Sequence, residues 1–176
     1  MPDDAGVLSR MAIRMIFSMR PDKQAEADKL LDRAQDLAPR GLYLAWKAFL
    51  RVIWLVEQPG GRDVQAMREE IEALCEAAFE LEPMNSMVLA AVSYAQFLVT
   101  GNLVRGFELA RRGVQLNPAN PFGWLCLSTA RLYMGQPETA HRDMMRARRI
   151  GLNSPFRHWW EMAGGLSSTA IGDLDR

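Results

Sequence analysis

Gly101-Asn-Leu-Val-Arg-Gly106-Phe-Glu-Leu-Ala110-Arg-Arg-Gly113-Val-Gln-Leu-Asn-Pro118 is followed, 34 residues on, by Gly135-Gln-Pro-Glu-Thr-Ala140-His-Arg-Asp-Met144-Met-Arg-Ala147-Arg-Arg-Ile-Gly-Leu152. Gly101 aligns with Gly135, Gly106 with Ala140, Ala110 with Met144, and Gly113 with Ala147. Each position has a physical role. The leading glycine ends one helix where a left-handed turn is wanted. The small residues let a second helix approach the first closely, and the closing proline stops that helix before the next unit.

Working outward, the same ending occurs at Ala34-Gln-Asp-Leu-Ala-Pro39, Ala78-Phe-Glu-Leu-Glu-Pro83 and Gly113-Val-Gln-Leu-Asn-Pro118. Ala147-Arg-Arg-Ile-Gly-Leu152 keeps the shape with leucine in place of proline, and the successive distances are 44, 35 and 34 residues. Ala27, Leu31, Ala34 and Pro39 repeat the second-helix pattern near the N-terminus. The longer second period carries extra residues around Gln58-Pro-Gly-Gly-Arg-Asp63. Apolar spacing is helical nearly throughout. It predicts helices over 5–19, 23–38, 42–57, 63–81, 86–100, 103–116, 121–134 and 137–150, and a further one from Pro155 to about Ala170. Asp63 and Asn102 are expected N-caps, and Pro137 a helix start.

This pattern resembles the tetratricopeptide repeat, with Trp124, Leu127, Gly135, Ala140 and Ala147 forming the best-matched unit. The resemblance implies an all-α, right-handed solenoid of stacked antiparallel helix pairs. It would be a single domain over 1–176, with repeats at about 5–39, 42–83, 86–118 and 121–152 and a terminal helix over 155–170. Gly172-Asp-Leu-Asp-Arg176 resembles Gly101-Asn-Leu-Val-Arg105, the opening of a second helix. Two readings fit: part of a longer array, which the repeated turn favours, or a terminal capping helix. A cap normally has a polar outer face, whereas this helix carries Trp159 and Trp160, so it is expected to meet a neighbour or to self-associate. The closing stretch is also loosely similar to the C-terminal repeat arrays of bacterial transcriptional regulators and nucleotide cyclases.

In such repeats the first helix of each pair lines a concave groove. Transferred by resemblance, the groove positions are Leu44, Lys47, Arg51 and Trp54; Val88, Ala91, Ala95 and Leu98; Phe122, Leu125, Thr129 and Leu132; and Trp159, Met162 and Leu166. Phe122 and Trp54 are expected to face the groove, and Val88 and Leu125 to pack between repeats. The implied function is a cytoplasmic scaffold that binds a partner helix or extended apolar segment of another protein. The alternative is a ligand- or partner-sensing regulatory region of a larger bacterial signalling protein.

Composition narrows the field independently. Lys plus Arg equals Asp plus Glu at 21 each, so no overall field favours nucleic acid. The uncharged run from Pro83 to Val104 is interrupted by Asn, Ser, Gln and Thr and has a counterpart in Gly113–Ala130, which suits packed helices better than a membrane span. Cys75 and Cys126 sit among apolar residues and suit a reducing compartment. His141 and His158 lie on different helices, so neither a metal site nor a catalytic triad can be assembled, and no cofactor-binding glycine loop occurs. An enzyme is not expected. Glu69, Glu70, Glu72 and Glu76 read as a solvated face paired with Arg68; Arg142, Arg146, Arg148 and Arg149 read as another. Met11, Met15, Met67 and Met144 are expected core residues.

Overall fold

The computed structural model describes residues 4–18, 20–57, 63–154 and 157–172, with the side chain of Leu166 excepted. Among them the chain is all-helical: α1 Ala5–Ile16, α2 Pro21–Leu37, α3 Gly41–Glu57, α4 Val64–Leu81, α5 Ser86–Ala95, α6 Leu103–Leu116, α7 Pro121–Tyr133, α8 Pro137–Ile150 and α9 Arg157–Ala170. No helix among the described residues is long and apolar enough to cross a membrane. The expected caps form. Asp63 accepts from the amides of Gln65 and Ala66, and Asn102 from that of Arg105, satisfying donors that a helix start leaves open. The extra residues 58–62 and the closing 173–176 lie outside the described residues.

Helix limits depart from the sequence expectation where local chemistry intervenes. The first helix stops at Ile16 rather than running to 19, and α2 starts at Pro21, two residues early, because proline is well suited to a first turn. The helix expected over 86–100 widens into a π turn at Gln96–Thr100. The cause is the Gln96 carbonyl, which accepts from the Thr100 hydroxyl at 2.7 Å, from the Gly101 amide and from the Asn102 amide at 2.9 Å. Gly101 and Gly135 close their helices at φ 70° and 71°, the left-handed conformation that their alignment implied.

The chain divides into two compact units, Met1–Pro83 and Met84–Arg176. In the first, α1 packs on α2, α2 on α3, and α3 on α4. Residues 24, 28 and 32 of α2 meet 54, 51 and 47 of α3, so these helices run antiparallel. Its centre is an aromatic knot of Phe17, Trp46 and Phe49 with ring centroids 5.7–5.8 Å apart, backed by Leu8, Ile16, Leu31 and Ile71.

In the second unit, α5 pairs with α6, α7 with α8, and α8 with α9. Gly106 and Gly113 face α5, as their small size requires, and Ala110 between them is fully buried. α5 and α7 lie side by side. Their starts are joined where Asn120 Nδ2 donates to Ser86 Oγ at 2.8 Å, a bond that links residues one 34-residue period apart. Met67 and Met144 are core, Met15 is half-buried, and Met11 is a correction: it is exposed on the outer side of α1.

Candidate functional site

The positions transferred by resemblance fall into both units and meet different fates. In the first unit they do not form an open basic spot. Arg51 is buried and held bidentately by Asp28 at 2.8 and 2.9 Å, with Glu70 at 2.8 Å on its Nε. Its guanidinium lies 4.6 Å from the Trp54 ring centroid. Burial alone would lower the Arg51 pKa; its hydrogen bonds to Asp28 and Glu70 and the charges of both carboxylates together outweigh that, so the pKa is raised and the guanidinium stays charged. Lys47 pairs with Asp32 and approaches Asp28 at 3.8 Å. Trp54 is buried and donates from Nε1 to Gln24 Oε1 at 3.1 Å, which corrects the expectation that it faces outward. Leu44 is half-buried. The sequence shows the two cations on one helix face but hides the carboxylates of α2 that neutralise them, because those belong to another period.

In the second unit, Val88, Ala91 and Ala95 are sealed into the core. Phe122 is also buried, at 3% exposure, since it enters the start of α7 beside the Asn120 cap that turns the chain inward. The remaining positions converge. Leu98, Leu125, Thr129, Leu132, Trp159 and Met162 line one cavity of about 430 Å³, completed by Tyr94, Ser128, Tyr133, Met144 and Ala163. Tyr94 and Leu98 come from one turn to the next across the π segment. Leu125, Ser128, Thr129 and Leu132 form the i, i+3, i+4, i+7 stripe of α7, and Trp159, Met162 and Ala163 the facing stripe of α9. Met144 rises from α8 as the floor, only 1% exposed.

Chemically the cavity is apolar. The Ser128 hydroxyl donates to the Ala140 carbonyl at 2.7 Å, and the Thr129 hydroxyl to the Leu125 carbonyl at 2.9 Å, so both are committed to backbone. No charged residue lines the wall. Asp143, next to Met144 in the chain, turns the other way to meet Arg131 at 2.8 Å. Burial raises its carboxyl pKa, while Arg131, Arg142 and Arg146 pull it back. At the rim, Met162 and Tyr133 are each 53% exposed. Among the described residues no three His, Cys, Asp or Glu side chains converge to hold a metal ion.

The terminal helix also corrects the sequence reading. Trp159 and Trp160 were expected to meet a missing neighbour or a second copy, with Trp159 also a groove position; both are buried within the chain, at 8% and 2%. Trp160 lies over Gly151, so close that a Cβ there would clash with its Nε1. Trp159 turns into the cavity wall. The glycine at 151 was the sequence signal for this seat, legible only once α9 is known to fold back on α8. No protein-family model matches the chain, and no curated protein matches it.

Proposed function

We propose that the chain is a protein-interaction module of tetratricopeptide type that takes an apolar helix or extended segment of another protein, anchored in the cavity between α5, α7 and α9. The observation that carries this reading is the wall itself. It is an uncharged, mostly aliphatic and aromatic cavity whose Ser128 and Thr129 hydroxyls are already bonded internally, with a flexible thioether and an aromatic ring at its mouth. Such a surface recognises apolar side chains and offers little for polar chemistry. The 34-residue period, the antiparallel pairs within each unit and the left-handed glycines support the repeat assignment. A right-handed superhelical stack and a cytoplasmic setting are part of the same proposal.

A second reading is favoured by the cavity's size. About 430 Å³ is within the range that encloses a small molecule. On that reading the chain is the ligand-sensing part of a larger regulator.

One experiment addresses both. Peptides selected by display on the full chain are re-measured against Ala163→Trp, which fills the cavity from α9. Apolar or amphipathic peptides that lose at least about tenfold in affinity support the module. Peptides that bind the filled variant unchanged overturn it. A metabolite that raises the melting temperature of the wild type but not of Ala163→Trp supports the sensing reading instead.

A further inference from the structure

The neutrality of the whole chain conceals an uneven distribution. Residues 1–83 hold 11 Lys or Arg against 15 Asp or Glu, and residues 84–176 hold 10 Arg against 6 acidic residues. Part of each excess is drawn up on one helix. On α4, Glu69, Glu72 and Glu76 are exposed at intervals of three and four. On α8, Arg142, Arg146 and Arg149 are exposed at intervals of four and three. These intervals keep each set on one helix face, and each stripe is about 10 Å long.

No residue of either stripe forms an ion pair among the described residues, although the partly buried Asp143 lies within the field of Arg142 and Arg146. Arg68, expected to pair with the glutamates, makes no ion pair there; the one that is paired is Glu70, with Arg51. Glu69 receives only the neutral Gln65 amide. Arg142 donates to the Thr139 hydroxyl and Arg146 lies over the Trp124 ring, 4.1 Å from its centroid. That stacking restrains the guanidinium without neutralising it. Beside Arg146 and Arg149, Pro118, Ala119 and Ile150 form a shallow hollow of about 600 Å³ that can receive neighbouring side chains.

We infer that the α4 stripe of one copy docks antiparallel on the α8 stripe of a second copy. Reversing one helix turns intervals of three and four into four and three, so Glu69 meets Arg149, Glu72 meets Arg146 and Glu76 meets Arg142. The contact joins unlike surfaces and leaves an unused stripe on each copy, so it is a heterologous association. It is independent of the cavity. Exposed ion pairs are individually weak and screened by salt, so the association is salt-sensitive.

Sedimentation of the full chain tests this. At about 20 mM salt the average mass rises with concentration above the 19.9 kDa of one chain, and at about 500 mM it returns to that value. Glu72→Arg with Glu76→Arg abolishes association at low salt, and so does Arg142→Glu with Arg149→Glu. An equimolar mixture of the two variants associates again, in pairs only, because the intact α8 stripe of the first meets the intact α4 stripe of the second. Arg146 is left in place to preserve its stacking, and Glu72→Gln with Glu76→Gln replaces the arginine pair should circular dichroism show lost helix. A wild-type chain that stays single at low salt, variants that still associate, or a mixture that stays apart each overturns the inference.

Discussion

Asp143 is a buried carboxyl whose protonation is linked to stability. Its burial beside Arg131 makes the folded carboxyl easier to protonate than the unfolded one. A group of that kind withdraws stability as pH rises from the ordinary aspartate range through its raised value, and above that value the loss is complete. Asp143→Asn removes the titration. The variant should therefore gain stability relative to wild type as pH rises above the ordinary aspartate range, measured by denaturant unfolding at each pH. A difference that stays constant over that rise would show that burial does not set this carboxyl. Arg51 is the contrasting case. Its charge is equally withdrawn from water, yet two carboxylates and an indole surround it, so it stays ionised and fixes α2 against α3 and α4.

At the scale of elements, α9 decides whether the cavity exists, since it supplies Trp159, Met162 and Ala163. Its seat is the Trp160 ring over Gly151, with Arg148 bridging to Glu161 at 2.8 Å and His141 Nδ1 lying 3.2 Å from Ser167 Oγ. Gly151 has φ −84°, so alanine is tolerated by the backbone and any cost comes from the displaced indole. Gly151→Ala is expected to cost about 1–3 kcal/mol, as overpacking does. It should red-shift the tryptophan fluorescence and speed amide exchange over 157–170. Exchange unchanged over that helix would mean α9 is held by other contacts. The α1 to α8 boundaries were legible in sequence to within a few residues because glycine, proline and cap residues act locally. The burial of Trp160 against Gly151 was not, since an apolar stripe shows that a face is buried but not what covers it.

Across the whole molecule, each unit holds one buried cysteine, Cys75 in the first and Cys126 in the second. Cys126 is fully buried, and loss of hydration pushes its thiol pKa upward, only partly offset by a hydrogen bond with Ser93. Thiols held this way are poor nucleophiles. Native protein should react with an aromatic disulfide reagent orders of magnitude more slowly than denatured protein. Cys75→Ala and Cys126→Ala each leave one reporter, so a denaturant series reads the opening of the two units separately. Rapid labelling of either variant in native buffer would contradict the packing described here.

The sequence by itself determined the helices, their ends and the period, because turns, caps and close-packed small residues are set by neighbours along the chain. It also placed six of the cavity's wall residues on helices, at positions Leu98, Leu125, Thr129, Leu132, Trp159 and Met162. Only the tertiary structure decided which of the transferred positions remain open to a ligand. Trp54 and Phe122 were lost to the interior, Lys47 and Arg51 to carboxylates from other helices, and Tyr94, Met144 and Ala163 were added. Exposure and charge pairing depend on what arrives from distant parts of the chain, and periodicity along one helix carries no information about that.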